Sequence, residues 1–301
     1  MNRSSFSALY MKLQNNVQLK NYTTFRIGGP AKYFIEAKNK KEIIEALKWA
    51  KNNNLPFFIL GGGSNLLVSD KGYNGVVIRV RNEKMEARNE NSKCRIFVEA
   101  GSPLSKLVVF SLRKGLTGLE WAVGIPGTVG GAVTGNAGAF GGEMKDSVKT
   151  VEVFDYAAMR VKKIKNKECG FGYRNSIFKK NTRLIILSCE LLIEKGDKKN
   201  IKEKIEKYLD YRQQKHPKEP SAGSVFKRVG KEPAAVLIDR AGLTGKKFGK
   251  ACVSQKHSNF IINSDGAKAE HVRRLIAFIK KSVKKKFKKS LQEEIQFLGK
   301  F

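Results

Sequence analysis

Apolar and polar positions alternate from Ala31 to Ala37, the two-residue period of a half-buried strand, and the period then changes. Ile43, Ile44, Leu47 and Ala50 recur at helical spacing behind Asn39, whose side chain suits an N-cap. Asn52, Asn53 and Asn54 stop that helix, and Pro56–Leu60 is a continuous apolar run. Strand, helix and strand in about 30 residues is the span of a βαβ unit. Residues 15–30 read as polar and turn-like. Further on, the apolar run resumes at Leu66–Val68, and Val76–Val80 and Arg95–Ala100 predict strands. Ser102-Pro103 predicts a helix start, a hydroxyl cap followed by proline at the first helical position. That helix would bury Leu104, Leu107, Val108, Ser111 and Leu112 and end at Gly115.

In the second half, Val148–Phe154 and Arg160–Ile164 predict a strand pair, and Leu184–Ile193 a strand interrupted chiefly by Ser188 and Glu190. A long helix with Ile201, Ile205, Tyr208, Leu209 and Arg212 on one face runs to His216-Pro217-Lys218-Glu219-Pro220. A domain boundary is expected at that break. A helix over Pro233–Ala241, a strand at Phe260–Ile262 and an amphipathic helix carrying Val272, Leu275, Ile276, Ile279 and Val283 follow, with Leu291–Leu298 as a closing strand. The chain of 301 residues has room for two or three such domains.

Two stretches obey neither period. Gly61-Gly62-Gly63 follows an apolar strand and passes through Ser64 and Asn65. Three glycines remove every Cβ that would hold a ligand off the backbone, and amides in such a turn can converge on an anion such as a pyrophosphate. Alone, the loop reads equally well as an ordinary turn. Gly124–Gly142 carries eight glycines and no charge, whereas a solvated linker would be rich in serine and charge. Small, uncharged backbone suggests packing against something large and flat, and two such stretches favour a long cofactor with a phosphate middle.

Composition narrows the rest. Cys94, Cys169, Cys189 and Cys252 lie far apart, which argues against a disulfide framework or zinc site and for a reducing compartment. His216, His257 and His271 have no carboxylate at ligand spacing, so no metal is expected. No Gly-x-Ser-x-Gly elbow appears. The apolar stretch Phe6–Leu13, broken by Ser7 and Lys12, is too short for a signal or a span, and a cytoplasmic protein without membrane contact is expected. Lys and Arg number 59 against 27 Asp and Glu, a formal charge of +32 that would draw phosphate-bearing partners. The lysines are spread along the chain with no nucleic-acid motif, and Lys280–Lys289 reads as the solvated face of a helix. No specific nucleic-acid partner is expected.

Three polar groupings remain: Gly172-Tyr173-Arg174-Asn175-Ser176, Gly223-Ser224 and Glu293-Glu294. Singly they read as a turn with a surface arginine, a capping serine and a solvent-facing edge. Beside them stand Thr24-Phe25-Arg26-Ile27-Gly28-Gly29-Pro30, Gly61-Gly62-Gly63-Ser64-Asn65-Leu66-Leu67, Gly124-Ile125-Pro126-Gly127-Thr128-Val129-Gly130-Gly131 and Asn136-Ala137-Gly138-Ala139. Gly223-Ser224-Val225-Phe226-Lys227 and Glu294-Ile295-Gln296-Phe297-Leu298-Gly299 complete the set. Together, from about residue 15 to Gly299, the chain resembles the UDP-N-acetylenolpyruvoylglucosamine reductase family.

The resemblance implies an α+β, three-domain FAD-binding fold of vanillyl-alcohol-oxidase (PCMH) type. FAD-binding subdomains would span 1–80 (with 290–301) and 81–215, and a C-terminal substrate-binding α+β domain 216–289. It implies FAD and NADPH as cofactors, with FAD contacts at Gly61, Gly62, Gly63, Ser64, Asn65, Gly127, Thr128, Gly130, Asn136 and Gly138. NADPH would reduce FAD, and flavin N5 would deliver hydride to the enolpyruvyl group of UDP-N-acetylglucosamine enolpyruvate, yielding UDP-N-acetylmuramate for peptidoglycan. Arg174 would stabilise the enolate-like intermediate, Ser224 protonate it and Glu294 assist, with Tyr173 and Lys227 on the substrate. A monomer without metal is implied. The chain lacks the insertion of the type I branch after Leu184–Ile193 and so looks like type II, and Arg228 stands where asparagine is common. The competing readings are an FAD-linked oxidase of the same fold and a basic nucleic-acid-binding protein.

Overall fold

The computed structural model describes residues 12–301, which leaves most of the apolar stretch Phe6–Leu13 outside the described residues. Where polar composition predicts turns, the chain forms β1 (Leu13–Gln18) and a 3-10 turn before β2 (Pro30–Ala37). β1 is an edge strand, so Asn15, Asn16 and Gln18 face solvent and no apolar alternation marks it. α1 (Lys40–Asn52) begins as expected: Asn39 Oδ1 accepts from Glu42 N at 2.9 Å, and Ile43, Ala46, Leu47 and Ala50 are buried. β3 (Phe57–Leu60), β4 (Leu66–Val68) and β5 (Tyr73–Val80) follow, and β1-β2-β5-β3 is one sheet.

β6 (Met85–Glu90) and β7 (Lys93–Glu99) form a hairpin, of which the sequence reading held only the second strand. α2 (Leu104–Arg113) departs from its expected start: Pro103 is the N-cap, and the buried Ser102 hydroxyl has no hydrogen-bond partner. The first amide of α2 is taken instead by the Gly127 carbonyl, 3.0 Å from Leu104 N. Leu112 is only half-buried. Next come β8 (Leu116–Thr117), α3 (Val129–Gly135), β9 (Gly138–Ala139), β10 (Gly142–Glu143), α4 (Met144–Ser147), β11 (Val148–Asp155) and β12 (Arg160–Lys165). α5 (Ile177–Lys180), β13 (Leu184–Lys195), α6 (Lys198–Lys215), β14 (Ser221–Ser224), α7 (Ala234–Arg240) and β15 (Lys247–Phe248) lead on to the last elements. These are β16 (Ala251–Val253), β17 (Phe260–Asn263), α8 (Ala269–Phe287) and β18 (Gln296–Leu298).

The chain divides into two units, one of Ile35–Gly62 and Val77–Arg212, the other of Gln14–Phe34, Gly63–Val76 and Gln213–Phe301. The first is built on an antiparallel sheet in the order β12-β11-β13-β7-β6, with β8 also paired to β13. β13 is central, and Ile185 through Cys189 are all buried, Ser188 included, which is why its sequence is nearly continuous and apolar. α6 buries only Ile201; Leu209, expected on its packed face, is 41% exposed.

The second unit carries the sheet β14-β17-β16-β15. Its core joins Phe25, Leu67, Phe226, Leu237, Ile238 and Ile261 to the predicted stripe of α8, Val272, Leu275, Ile276, Ile279 and Val283. Asp70 caps α8, its carboxylate accepting from Ala269 N at 2.9 Å and Glu270 N at 3.3 Å. The closing strand is shorter than the predicted 291–298. β18 pairs in parallel with β4, while residues 291–295 follow Phe226 and Lys227 through the Phe226–Glu293 bridge and the Lys227 N to Gln292 O bond. Among the described residues no helix is long and apolar enough to cross a membrane, and no cluster of His, Cys, Asp or Glu could hold a metal ion.

Candidate active site

In the first unit the turn Gly172–Asn175 is closed at both ends. Gly172 N donates to Asn175 O at 3.0 Å and Asn175 N to Gly172 O at 3.1 Å, leaving Tyr173 and Arg174 at the tip. Arg174 takes φ +52°, a left-handed conformation that a side chain resists. Two side chains hold the turn against the end of α3. Asn136, fully buried and itself at φ +42°, donates to Gly172 O at 3.0 Å and to Glu143 Oε2 at 2.6 Å, and accepts from Lys145 N at 2.9 Å. Ser176 Oγ donates to Thr134 O at 2.7 Å. Arg174 Nη2 then donates to Gly138 O at 2.8 Å, and its guanidinium lies 5.5 Å from the Tyr173 ring. Of the residues expected here, Arg174, Asn136 and Gly138 are thus tied together by hydrogen bonds and Tyr173 joins them through its ring, with Asn136 spending its amide on the chain itself.

The two glycine stretches meet each other. A Cβ on Gly61 would stand 2.6 Å from Thr128 Oγ1, and one on Gly62 2.7 Å from Gly127 Cα. Gly130 lies on Ala100, where an added Cβ would be 2.9 Å from Ala100 Cβ. Thr128 Oγ1 caps α3 by accepting from Gly131 N at 3.3 Å. Chain packing therefore explains glycine at 61, 62 and 130. It does not explain Gly131, where only Thr128 Oγ1 lies within reach, at 3.6 Å, or Gly135, where an added Cβ meets nothing. These open glycines on a short uncharged helix leave a backbone surface that fits a flat, extended cofactor.

In the second unit Gly63 takes φ +62°, and a Cβ there would strike the Tyr22 carbonyl. The loop ends at Asn65, whose Nδ2 donates to Glu294 O at 3.2 Å and whose carbonyl accepts from Gln296 N at 3.0 Å. Glu294 is thus fixed from one side by Asn65. On the other, its own N–H donates to Val225 O at 2.7 Å. Ser224 precedes Val225 at the end of an irregular ladder: the register slips between Ser221 and Ser224, and Gly223 takes φ +73° with open space where its Cβ would be. The Ser224 hydroxyl is partly exposed and has no hydrogen-bond partner among the described residues. Lys227 is half-buried.

Asn259, which the sequence reading passed over, secures this segment. Its Oδ1 accepts from Phe226 N at 2.9 Å, its Nδ2 donates to Phe226 O at 2.8 Å and its carbonyl accepts from Val225 N at 2.8 Å. Asn263 does the same for the Phe25–Arg26 turn, donating to Phe25 O at 3.1 Å. An isolated asparagine beside a strand carries no signal of a partner more than thirty residues away, and neither belongs to a glycine motif.

Residues 31–163 match the family model of an FAD binding domain, and residues 214–298 that of the UDP-N-acetylenolpyruvoylglucosamine reductase C-terminal domain. A UDP-N-acetylenolpyruvoylglucosamine reductase of Clostridium novyi (strain NT) is 41% identical, across 96% of this chain and 92% of its own. One of Caldicellulosiruptor bescii is 43% identical across 94% and 90%. Among solved structures, the UDP-N-acetylenolpyruvylglucosamine reductase of Thermus caldophilus superposes with a TM-score of 0.82 and 34% identity, over 96% of this chain and all of the other. A cholesterol oxidase of B. sterolicum, 12% identical with a TM-score of 0.50 over 65% of this chain and 39% of its own, shares the fold alone. The fold is α+β, of the FAD-binding kind read from the sequence.

Proposed function

Because the chain belongs to the UDP-N-acetylenolpyruvoylglucosamine reductase family, we propose that it reduces UDP-N-acetylglucosamine enolpyruvate to UDP-N-acetylmuramate for peptidoglycan, with FAD as resident cofactor and NADPH as reductant. FAD, once reduced by NADPH, supplies the hydride that adds to the enolpyruvyl double bond. The backbone of Gly61–Asn65 and of the stretch holding Gly127, Thr128, Gly130, Asn136 and Gly138 would hold the cofactor, and the open space at Gly131 and Gly135 would leave room for it. Asn136 serves by fixing the Arg174 turn.

Hydride addition leaves negative charge on the carboxylate side of the substrate, and Arg174 stabilises it with a guanidinium that needs no reorganisation during the reaction. Ser224 donates the proton that completes the reduction, and Glu294 assists. A serine hydroxyl is a weak acid, matched to a strongly basic enolate. Tyr173 and Lys227 hold the substrate. The observation carrying this reading is the adjacency of donor and assistant: the 2.7 Å bond from Glu294 N to Val225 O sets Glu294 beside the residue that follows Ser224.

The same reading takes 1–80 with 290–301 and 81–215 as FAD-binding subdomains and 216–289 as the substrate domain. The parallel pairing of β18 with β4 supports returning the C-terminal segment to the first of these. It also has the protein act as a cytoplasmic monomer without nucleic acid.

The test is a visible spectrum of the purified protein, followed anaerobically. NADPH should bleach a bound flavin, and the enolpyruvyl substrate alone should restore it. In Ser224→Ala the bleaching should persist at nearly the original rate while the return slows by orders of magnitude. Equal loss in both half-reactions would remove the proton-donor role. Hydrogen peroxide formed without substrate-dependent NADPH oxidation would replace the reductase reading by that of an oxidase.

A further inference from the structure

Arg212, on α6, carries a cation that the chain does not neutralise. Its Nε is shut off from water and has no hydrogen-bond partner, and no carboxylate pairs with it among the described residues. Its side chain runs along Gly124, where an added Cβ would stand 2.8 Å from Arg212 Cδ, so glycine at 124 makes room for it. The guanidinium ends 5.2 Å from the centre of the Phe140 ring. Phe140 is itself anchored, stacked on Tyr208 at 4.1 Å with 4° between planes and edge-on to Tyr211 at 5.5 Å. It stands at φ +50° in the link between β9 and β10, two residues after the Gly138 carbonyl that Arg174 Nη2 grips. One short hairpin therefore carries both guanidinium groups, Arg174 on its first strand and Arg212 on its tip. Burial and the neighbouring Arg174 charge both push the Arg212 pKa below its ordinary value, while an arginine stays protonated at neutral pH.

Two like charges held at one short hairpin, one of them partly buried with its Nε shut off from water and no carboxylate beside it, are unfavourable until an anion joins them. We propose that Arg212 is a second substrate-binding cation, which with Arg174 forms a two-guanidinium site for the carboxylate of the enolpyruvyl group. This rests on the reductase reading above, which gives Arg174 the same carboxylate. Arginine suits the task because its planar donors match a carboxylate. Contact with the Phe140 ring, itself stacked on Tyr208, restrains the Arg212 group before the substrate arrives, which lowers the ordering cost of binding.

The test compares wild type with Arg212→Met and Arg212→Lys, all as FAD-loaded holoenzymes, by equilibrium titration with two ligands. UDP-N-acetylglucosamine enolpyruvate carries the carboxylate; UDP-N-acetylglucosamine lacks it. Arg212→Met should weaken the first about 10- to 100-fold, as expected for lost hydrogen bonds to a charged group, and leave the second within about twofold. Arg212→Lys should recover part of the loss. Equal weakening of both ligands, or no weakening of either, would overturn the proposal and make Arg212 a packing residue for Phe140. If wild-type holoenzyme itself fails to be reoxidised by the enolpyruvyl substrate, the reductase reading falls, an outcome separate from the variant comparison.

Discussion

Arg174 sits at φ +52°, where a residue with a Cβ costs roughly 1–2 kcal/mol over glycine, and the turn that imposes this is tied down by Asn136 and Ser176. Backbone strain here accompanies the direction of the guanidinium toward Gly138 O. Arg174→Gly should therefore separate stability from chemistry. The holoenzyme should melt at the same temperature or higher, while substrate-driven reoxidation falls about 100- to 1,000-fold, the usual loss of one electrostatic donor. A calorimetric melting point several degrees lower would mean that the bond to Gly138 outweighs the strain. Arg174, Ser224 and Glu294 each stand inside a short run of distinctive neighbours, which is what singles them out in the sequence. The asparagines that tie down the Val225–Phe226 and Phe25–Arg26 segments carry no such mark. Asn263 reaches a carbonyl 238 positions away and Asn259 a peptide 33 positions away, and nothing local distinguishes either from a surface asparagine.

At the scale of elements, period was a good guide where one face is buried and a poor one elsewhere. α1 and α8 show their apolar stripes plainly, and both form as read. α3 contains Gly130, Gly131 and Gly135 among its seven residues, a composition that argues against a helix by about 1 kcal/mol per glycine. It forms because Thr128 caps it, Val129, Ala132 and Val133 are buried, and Gly130 alone allows the approach to Ala100. β14 was missed for a related reason, since its bulge at Ala222–Gly223 breaks the two-residue alternation. α8 offers a direct comparison of capping with burial. Ile279→Ala, at a fully buried position, should cost about 2–5 kcal/mol through transfer and cavity terms. Asp70→Ala removes two N-terminal hydrogen bonds and should cost about 1 kcal/mol. Urea unfolding of the holoproteins would read both. A larger loss from Asp70→Ala would mean that the cap also fixes the glycine-bounded loop from which it projects.

For the whole molecule the dominant electrostatic fact is 59 basic against 27 acidic side chains. Most ion pairs are exposed or half-exposed, so each contributes little, and the residual positive charge repels itself. Yet the scarce carboxylates are well used. Arg95 and Lys149 hydrogen bonds hold Glu90 at about 2, Lys106 lowers Glu83, Lys163 lowers Glu190, and Lys162 lowers Asp155. A carboxylate whose pKa is depressed in the folded state contributes stability above its unfolded pKa, and that contribution disappears as pH falls through the folded value. For Glu90 the window runs from 4.5 down to about 2. Each protonation in that window also adds to the unbalanced positive charge, so the two effects act in the same direction. Added salt opposes the second effect but not the first, because screening at about 0.15 M reaches charges beyond about 8 Å and spares close hydrogen-bonded pairs. The holoenzyme should therefore melt higher in about 0.3 M than in about 0.02 M potassium chloride at pH 7. Its melting temperature should fall steadily below about pH 4.5, with salt recovering only part of the loss. A scanning-fluorimetry grid of pH against salt would decide. A melting temperature that drops with salt at pH 7 would make the local pairs, rather than long-range repulsion among lysines, the controlling electrostatic contribution.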